Sequence, residues 1–160
     1  MSIIQEYACL EGGEEMSDHK KAEMMREFIK TFESNDFEKA VSLCTDDIVV
    51  EMPIGTFNGK EEFKKCFDWM ADNIKDFKAT ETGNGILVQG DKAFFEHSFS
   101  GIMQGEKAEY LAMCAYEFSD DKINKVRTVF DRLSIAEQAS SKWLEKKFVN
   151  TIINQMQKGL

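Results

Sequence analysis

Asp131 and His97 are the residues of this sequence whose type and position best suit them to exchange a proton. Asp131 lies near the end of a β-branched and aromatic run over residues 125–133. His97 falls in an alternating and otherwise apolar set, which predicts that it points inward: Ala93, Phe95, His97, Phe99 and Met103. Because apolar surroundings disfavour an ionised carboxyl group, its pKa rises, which suits general acid or base work near neutral pH. A neighbouring imidazole could orient that acid or supply a proton, so the pair could remove a proton beside a carbonyl or activate a water molecule.

Both residues also have purely structural interpretations. Asp131 could cap the following turn, or pair with Arg127 or Arg132 at the margin of the sheet. His97 could be a core histidine whose ring bonds a backbone carbonyl or Glu51. The sequence leaves these alternatives open.

Composition indicates one compact, acidic domain. The chain has 160 residues, of which 42% are hydrophobic, and a formal net charge of -9. An acidic surface repels phosphate backbones and anionic lipid headgroups, which argues against nucleic-acid and membrane partners. No apolar run reaches the length of a membrane span, and the N-terminus lacks the basic flank and apolar core of a signal peptide. We therefore expect a cytoplasmic protein.

The cysteines and histidines form no pattern for a metal or another cofactor. The four cysteines make no CxxC pair and stand mostly in apolar helix or strand patterns: Cys9, Cys44, Cys66 and Cys114. They are predicted to be small buried apolar residues in a reducing compartment. The two histidines, His19 and His97, are far apart in the sequence and give no zinc-ligand spacing, so we expect no cofactor.

Hydrophobic periodicity predicts helices first and strands later. Helical spacing of apolar residues follows Ser17, Asp36 and Asn58, and a short strand over residues 48–52 ends at the only proline, Pro53. A period of two then predicts four strands, over residues 78–89, 92–104, 107–119 and 122–133. Short turns between them indicate an antiparallel meander, and a last helix is predicted over residues 140–158.

This order of elements predicts an α+β domain in which helices cover one face of a strongly curved antiparallel sheet. Such a cup either fills with side chains or holds a small ligand. The predicted division of the chain is an N-terminal extension over residues 1–16, the α+β domain over 17–138, and a C-terminal helix over 139–160.

The same order resembles the nuclear transport factor 2-like superfamily. Residues 28–44, 46–53 and 58–63 resemble its beginning. Residues 122–133, with Gln138 beyond them, are similar to the SnoaL-like polyketide cyclase and limonene epoxide hydrolase branch. The resemblance implies a cone, or α+β roll, with the N-terminal helices over its concave face, and it implies a homodimer formed through the convex face of the sheet.

The ketosteroid isomerase pattern of this superfamily is not retained. That pattern uses a tyrosine on the first helix, an aspartate just before the proline and an acid on the penultimate strand. The matching positions hold Phe28, Met52 and Cys114. The resemblance therefore implies that ketosteroid isomerase activity is absent.

The epoxide hydrolase pattern is retained at one of its positions. Asp131 matches its terminal aspartate, whereas its arginine and its other aspartate are replaced by His97 and Phe99. Its two water-holding positions read Val49 and Glu51. The resemblance thus implies that Glu51, His97 and Asp131 face a pocket, with Asp131 at the position where SnoaL-like cyclases hold the base that removes a proton from carbon.

These observations leave three functions open. The first is a cofactor-free cyclase, isomerase or hydrolase that acts on an apolar carbonyl-bearing or epoxide-like compound, with Asp131 as base and His97 as its partner. The second is a non-catalytic module that binds such a ligand, and the third is an interaction domain whose cup is filled by side chains. The residues expected to line a pocket are Phe28, Met52, Phe95, Phe99, Tyr110, Cys114, Tyr116 and Phe130.

Overall fold

The computed structural model describes residues 16–140 and 142–158, which form five helices and six strands. In chain order these are α1 Asp18–Ser34, α2 Phe37–Ser42, β1 Cys44–Met52, β2 Gly55–Asn58, α3 Gly59–Asn73, β3 Ile74–Gln89, β4 Lys92–Met103, β5 Glu106–Ser119, β6 Lys122–Phe130, α4 Arg132–Ala139 and α5 Trp143–Met156. The predicted extension over residues 1–16 lies outside the described residues except for Met16, and so does Cys9.

The six strands form one open sheet in the order β2-β1-β6-β5-β4-β3. Strands β3 to β6 pair antiparallel with their sequence neighbours, which is the antiparallel meander that the sequence predicted. Strand β1 pairs parallel with β6, which makes the sheet mixed, and antiparallel with β2. With the helices packed against it, this sheet confirms the predicted α+β cone.

Helix α1 shows how the sequence sets the helices over the sheet. Ser17 caps it by accepting a hydrogen bond from the Lys20 amide at 3.4 Å. Its buried residues Met25, Phe28 and Ile29 follow the spacing of three and four that places side chains on one helix face. That face packs into the core shared with α3 and the sheet.

Strict alternation positions the side chains of the central strands. Strand β4 buries every second residue from Ala93 to Phe99, and β5 does the same from Ala112 to Phe118. These inward side chains form the concave face, and the core lies between that face and helices α1 to α3. Within residues 16–140 and 142–158, none of the helices is long and apolar enough to cross a membrane.

Strand β6 is shorter than the sequence predicted. It ends at Phe130, and the chain enters helix α4 at Arg132, so the prediction of a strand to residue 133 is wrong. The predicted last helix is present as α5. The predicted limits of the domain and of the C-terminal segment stay predictions.

Candidate functional site

A small apolar cavity lies inside the cone, between α1, α3 and the concave face. Its volume is about 40 Å³. Its lining includes Phe28, Phe63, Phe99, Cys114, Tyr116 and Thr128. Since one water molecule needs roughly 10–15 Å³ measured this way, the cavity has room for only a few water-sized groups. Aromatic side chains therefore fill most of the cone.

A larger cleft of about 250 Å³ lies at the mouth of the cone. Its walls come from α3, α4 and the strands β4, β5 and β6, and they include Trp69, Tyr110, Phe130, Ile135 and Ala139. Met52, Met70 and Phe99 line both the cleft and the inner cavity. Because methionine side chains are flexible, Met52 and Met70 form an adaptable boundary between the two spaces.

Cys114 lines the inner cavity from strand β5. In the sheet it pairs with Phe95 on β4 and with Thr128 on β6. Its Sγ lies 3.1 Å from Thr128 Oγ1 and 3.9 Å from His97 Nε2. Burial raises the pKa of the Cys114 thiol to about 12, so the group stays protonated and is a poor nucleophile.

His97 is fully buried on the concave face, in the inward orientation that its alternation predicted. Its ring stacks on Phe95 at 4.2 Å between centroids and meets the edge of Phe99 at 4.3 Å. Burial lowers the pKa of His97 to about 4, and the Phe95 backbone opposes this shift only in part. The imidazole is therefore neutral at pH 7, and its Nδ1 makes no hydrogen bond of normal geometry within the described residues.

Asp131 caps helix α4 at the edge of the cleft. Its Oδ1 accepts hydrogen bonds from the amides of Leu133 at 2.8 Å and Ser134 at 3.2 Å. The residue is exposed, and its neighbours Phe130 and Arg132 line the cleft. The structural alternative considered for Asp131 is thus realised, and its catalytic role stays a prediction.

Glu51 lies on the outer face of the sheet, so the prediction that it faces the pocket is wrong. Its strand neighbours Val50 and Met52 line the cavity, and alternation turns Glu51 the other way. There it accepts a hydrogen bond from Arg127 Nε and pairs with Lys125 Nζ at 2.7 Å. Arg127, followed by Lys125, lowers the pKa of Glu51 to about 2. The carboxylate is thus neutralised by two cations on the side opposite His97.

The residues expected to line a pocket divide between the two spaces. Phe28, Met52, Phe99, Cys114 and Tyr116 line the inner cavity. Tyr110 and Phe130 line the cleft together with Met52 and Phe99. Phe95 lines neither space and instead supports the ring of His97.

The sequence did not assign the helical walls to the site. Residues Phe63, Cys66 and Met70 of α3 line the cavity, and their spacing had marked them only as an inner helix face. The α4 residues lining the cleft were missed because that helix was not predicted. Within the part of the chain that the structure describes, no three His, Cys, Asp or Glu side chains are grouped to hold a metal ion.

Solved structures of several proteins share this fold. TsrD from Streptomyces laurentii matches with a TM-score of 0.70 at 17% identity, covering 80% of this chain and 100% of that one. A ketosteroid isomerase-like protein from Catenulispora acidiphila, in complex with trimethylamine, matches with a TM-score of 0.67 at 16% identity over 73% and 92% of the chains. An M. tuberculosis LEH-like epoxide hydrolase matches with a TM-score of 0.66 at 15% identity over 85% and 98%.

At these identities the structures establish the fold alone. The comparison with curated proteins found no match. A family model described as the SnoaL-like domain matches residues 25–126, which is more than half of the chain. The chain therefore belongs to the SnoaL-like domain family of the nuclear transport factor 2-like superfamily.

Proposed function

We propose that this protein binds a small, uncharged and mostly apolar molecule at the mouth of its cone. The observation that carries the proposal is that an apolar cleft and an inner cavity adjoin each other through Met52, Met70 and Phe99. Burial of a ligand there removes apolar surface from water, which contributes about 25 cal/mol for each Å². The cleft takes the body of the ligand, because the inner cavity is too small for a ring system.

Electrostatics favour a neutral ligand. The described lining of the inner cavity contains no Asp, Glu, Lys or Arg side chain. The adjacent His97 and Cys114 are both uncharged at pH 7. A buried ionic group without a counter-charge is strongly destabilised, so a charged ligand would keep its charge at the solvent end of the cleft.

Binding of a neutral fluorescent dye such as prodan tests this proposal, because its emission shifts in an apolar site. Ala136 lines the cleft from α4, and its neighbour Glu137 is exposed and not part of the lining. We expect Ala136→Trp to reduce dye affinity by at least tenfold and Glu137→Trp to leave it unchanged. Equal binding by the wild type and both variants would contradict the proposal.

Acid–base catalysis in the same cleft is a second candidate function. The observation that favours it is the exposed carboxylate of Asp131 at the edge of the cleft, beside the lining residues Phe130 and Arg132. His97 lines neither the cleft nor the inner cavity, so its neutral ring would support the site from within the sheet. Asp131 would be the base at the edge of the cleft. Incubation with a bound carbonyl or epoxide compound tests this candidate: recovery of the unchanged compound supports binding alone, and a product whose formation requires Asp131 supports catalysis.

We also propose that two copies associate through the outer face of the sheet. Four large apolar side chains lie exposed on this face: Leu87, Leu111, Met113 and Val129. Charges of both signs, among them Glu51 and Arg127, adjoin them, so a two-fold arrangement can bring opposite charges together. The superfamily resemblance supports the same face.

A cytoplasmic location is a further part of the proposal. Cys44, Cys66 and Cys114 are free thiols, which fits a reducing compartment.

A further inference from the structure

Tyr116, which lines the inner cavity, has a buried hydroxyl group that makes no hydrogen bond of normal geometry within the described part of the chain. The residue lines the cavity and is 1% exposed. Its Oη is buried and has no hydrogen-bond partner among the described residues. A buried hydroxyl that makes no hydrogen bond destabilises a protein, so such a group calls for a physical reason.

The surroundings of Tyr116 do not supply a good acceptor. After burial, the nearby Cys114 thiol contributes to the raised pKa of Tyr116, and it interacts with the hydroxyl group outside the geometry of a normal hydrogen bond. A thiol sulfur is a weak acceptor, and this one already contacts Thr128 Oγ1 at 3.1 Å. Phe28 meets the Tyr116 ring edge-on, with 6.3 Å between centroids. Val50 and Val126 add only apolar surface.

The hydroxyl is available as a donor at any working pH. Burial raises the pKa of Tyr116 well above its ordinary value, so the phenol stays protonated. The described cavity lining offers no cation that could balance an ionised ligand group. A neutral oxygen acceptor is therefore the complementary group.

We propose that the inner cavity is a subsite for a carbonyl or ether oxygen of the ligand, and that this oxygen accepts a hydrogen bond from Tyr116 Oη. The inference rests on the proposed function, because the apolar body of the same ligand occupies the cleft. The cavity volume of about 40 Å³ limits the buried end to a small group such as acetyl or formyl. The ligand class is thus a neutral, apolar compound with one oxygen acceptor at its buried end.

A matched pair of ligands separates the effect of the hydrogen-bond acceptor on affinity from the effect of ligand shape. Acetylnaphthalene and isopropenylnaphthalene, substituted at the same ring carbon, differ in a carbonyl oxygen that is replaced by a methylene group. Their affinities are measured by displacement of prodan from the wild type and from Tyr116→Phe. We expect the wild type to prefer the ketone by roughly tenfold, since a site that donates a hydrogen bond discriminates against a ligand without an acceptor. Tyr116→Phe is expected to lose that preference.

Thr31→Val is the control variant. Thr31 is also buried, but it lies outside the cavity lining, and its hydroxyl donates to the Phe28 carbonyl at 2.6 Å. We expect Thr31→Val to keep the ketone preference. The thermal midpoint gives a second readout: removal of an unpaired hydroxyl in Tyr116→Phe should leave the midpoint equal or higher.

The outcomes separate this inference from the proposed function. Equal affinities of both compounds for the wild type would overturn the subsite and leave the apolar cleft intact. A lower midpoint of Tyr116→Phe with an unchanged ketone preference would show that the hydroxyl has a partner inside the protein, which also overturns it. Displacement of the dye by neither compound, together with dye binding that Ala136→Trp does not affect, would overturn both proposals.

Discussion

The side-chain amide of Gln138 pairs with the backbone of Glu109 in both directions. Gln138 Nε2 donates to the Glu109 carbonyl at 2.8 Å, and Gln138 Oε1 accepts from the Glu109 amide at 2.9 Å. Strand β6 ends at Phe130, opposite Ala112, so this stretch of β5 has no strand neighbour on that side. The amide of Gln138 takes the place of a paired strand residue. It thereby fastens α4 over the mouth of the cone.

Gln138→Met should loosen α4 while keeping much of the side-chain volume. The variant removes both hydrogen bonds to Glu109, and we expect a loss of about 1 kcal/mol in the free energy of unfolding. Hydrogen exchange should quicken at the Glu109 amide and through α4. Glu137→Met, on the exposed side of the same helix, is the control and should change neither rate. Unchanged exchange in Gln138→Met would show that α4 is held by its other contacts.

Replacement of Asp131 should separate helix capping from catalysis. Its carboxylate accepts from the amides of Leu133 and Ser134, a function that asparagine also performs. We expect Asp131→Ala to lose about 1 kcal/mol in urea unfolding and Asp131→Asn to lose little. If the protein converts its ligand, Asp131→Asn should abolish turnover in a fully folded protein. Retained turnover in that variant would exclude Asp131 as the base.

The sequence predicted the fold better than it predicted which residues face the site. Alternation placed His97 inward correctly, because one face of β4 is buried along the strand and fixes its register. The same alternation places Glu51 on the outer face between Val50 and Met52, whereas the resemblance to the epoxide hydrolase pattern implied that it faces the pocket. Comparison with a family pattern matches residue positions in the sequence, but it does not determine which face of a short strand is buried.

Helix α4 could not be predicted from periodicity. Its eight residues carry few large apolar side chains, and the residue pattern before it predicts a strand that continues through residue 133. Strand β6 ends at the local Asp131 cap, and two tertiary contacts hold α4 in place: the bond from Arg132 to the Pro53 carbonyl at 3.2 Å and the Gln138 amide on β5. The unpaired hydroxyl of Tyr116 also depends on three-dimensional surroundings that a sequence pattern does not encode.

His97 should make stability depend on pH below neutrality. The unfolded chain binds a proton at His97 below pH 6.5, whereas the folded protein binds it only below about pH 4. Protonation therefore favours the unfolded state, so stability falls as the pH drops from 6.5 to about 4. The fully developed loss is on the order of 3 kcal/mol. His97→Leu should flatten this part of the curve of unfolding free energy against pH, and an unchanged slope would contradict a neutral buried His97.

Glu51 should make stability depend on pH in a more acidic range than His97 does. Its pKa is about 2 in the folded protein against an ordinary 4.5, so its contribution is complete above pH 4.5 and is lost as the pH falls towards 2. We expect Glu51→Gln to be less stable than the wild type at neutral pH, with a difference that shrinks through that window. Added salt should also reduce the difference, because the group is exposed to solvent screening. A difference that is constant with pH would rule out the pairing with Arg127 and Lys125 as its source.

Met113→Glu should dissociate the proposed dimer. Met113 lies on the outer face of β5 and pairs across the sheet with Val129, and the two side chains are 37% and 53% exposed. In a two-fold interface each substitution occurs twice, so two carboxylates would be buried in one apolar patch, where an unpaired charge is strongly unfavourable. Light scattering should therefore give twice the chain mass for the wild type and the single chain mass for Met113→Glu. Phe148→Glu, at a 69% exposed apolar residue on α5, is the matched control and should remain dimeric. A wild type that is monomeric at tens of micromolar would contradict the dimer, and a Met113→Glu variant that stays dimeric would contradict an interface on the outer face.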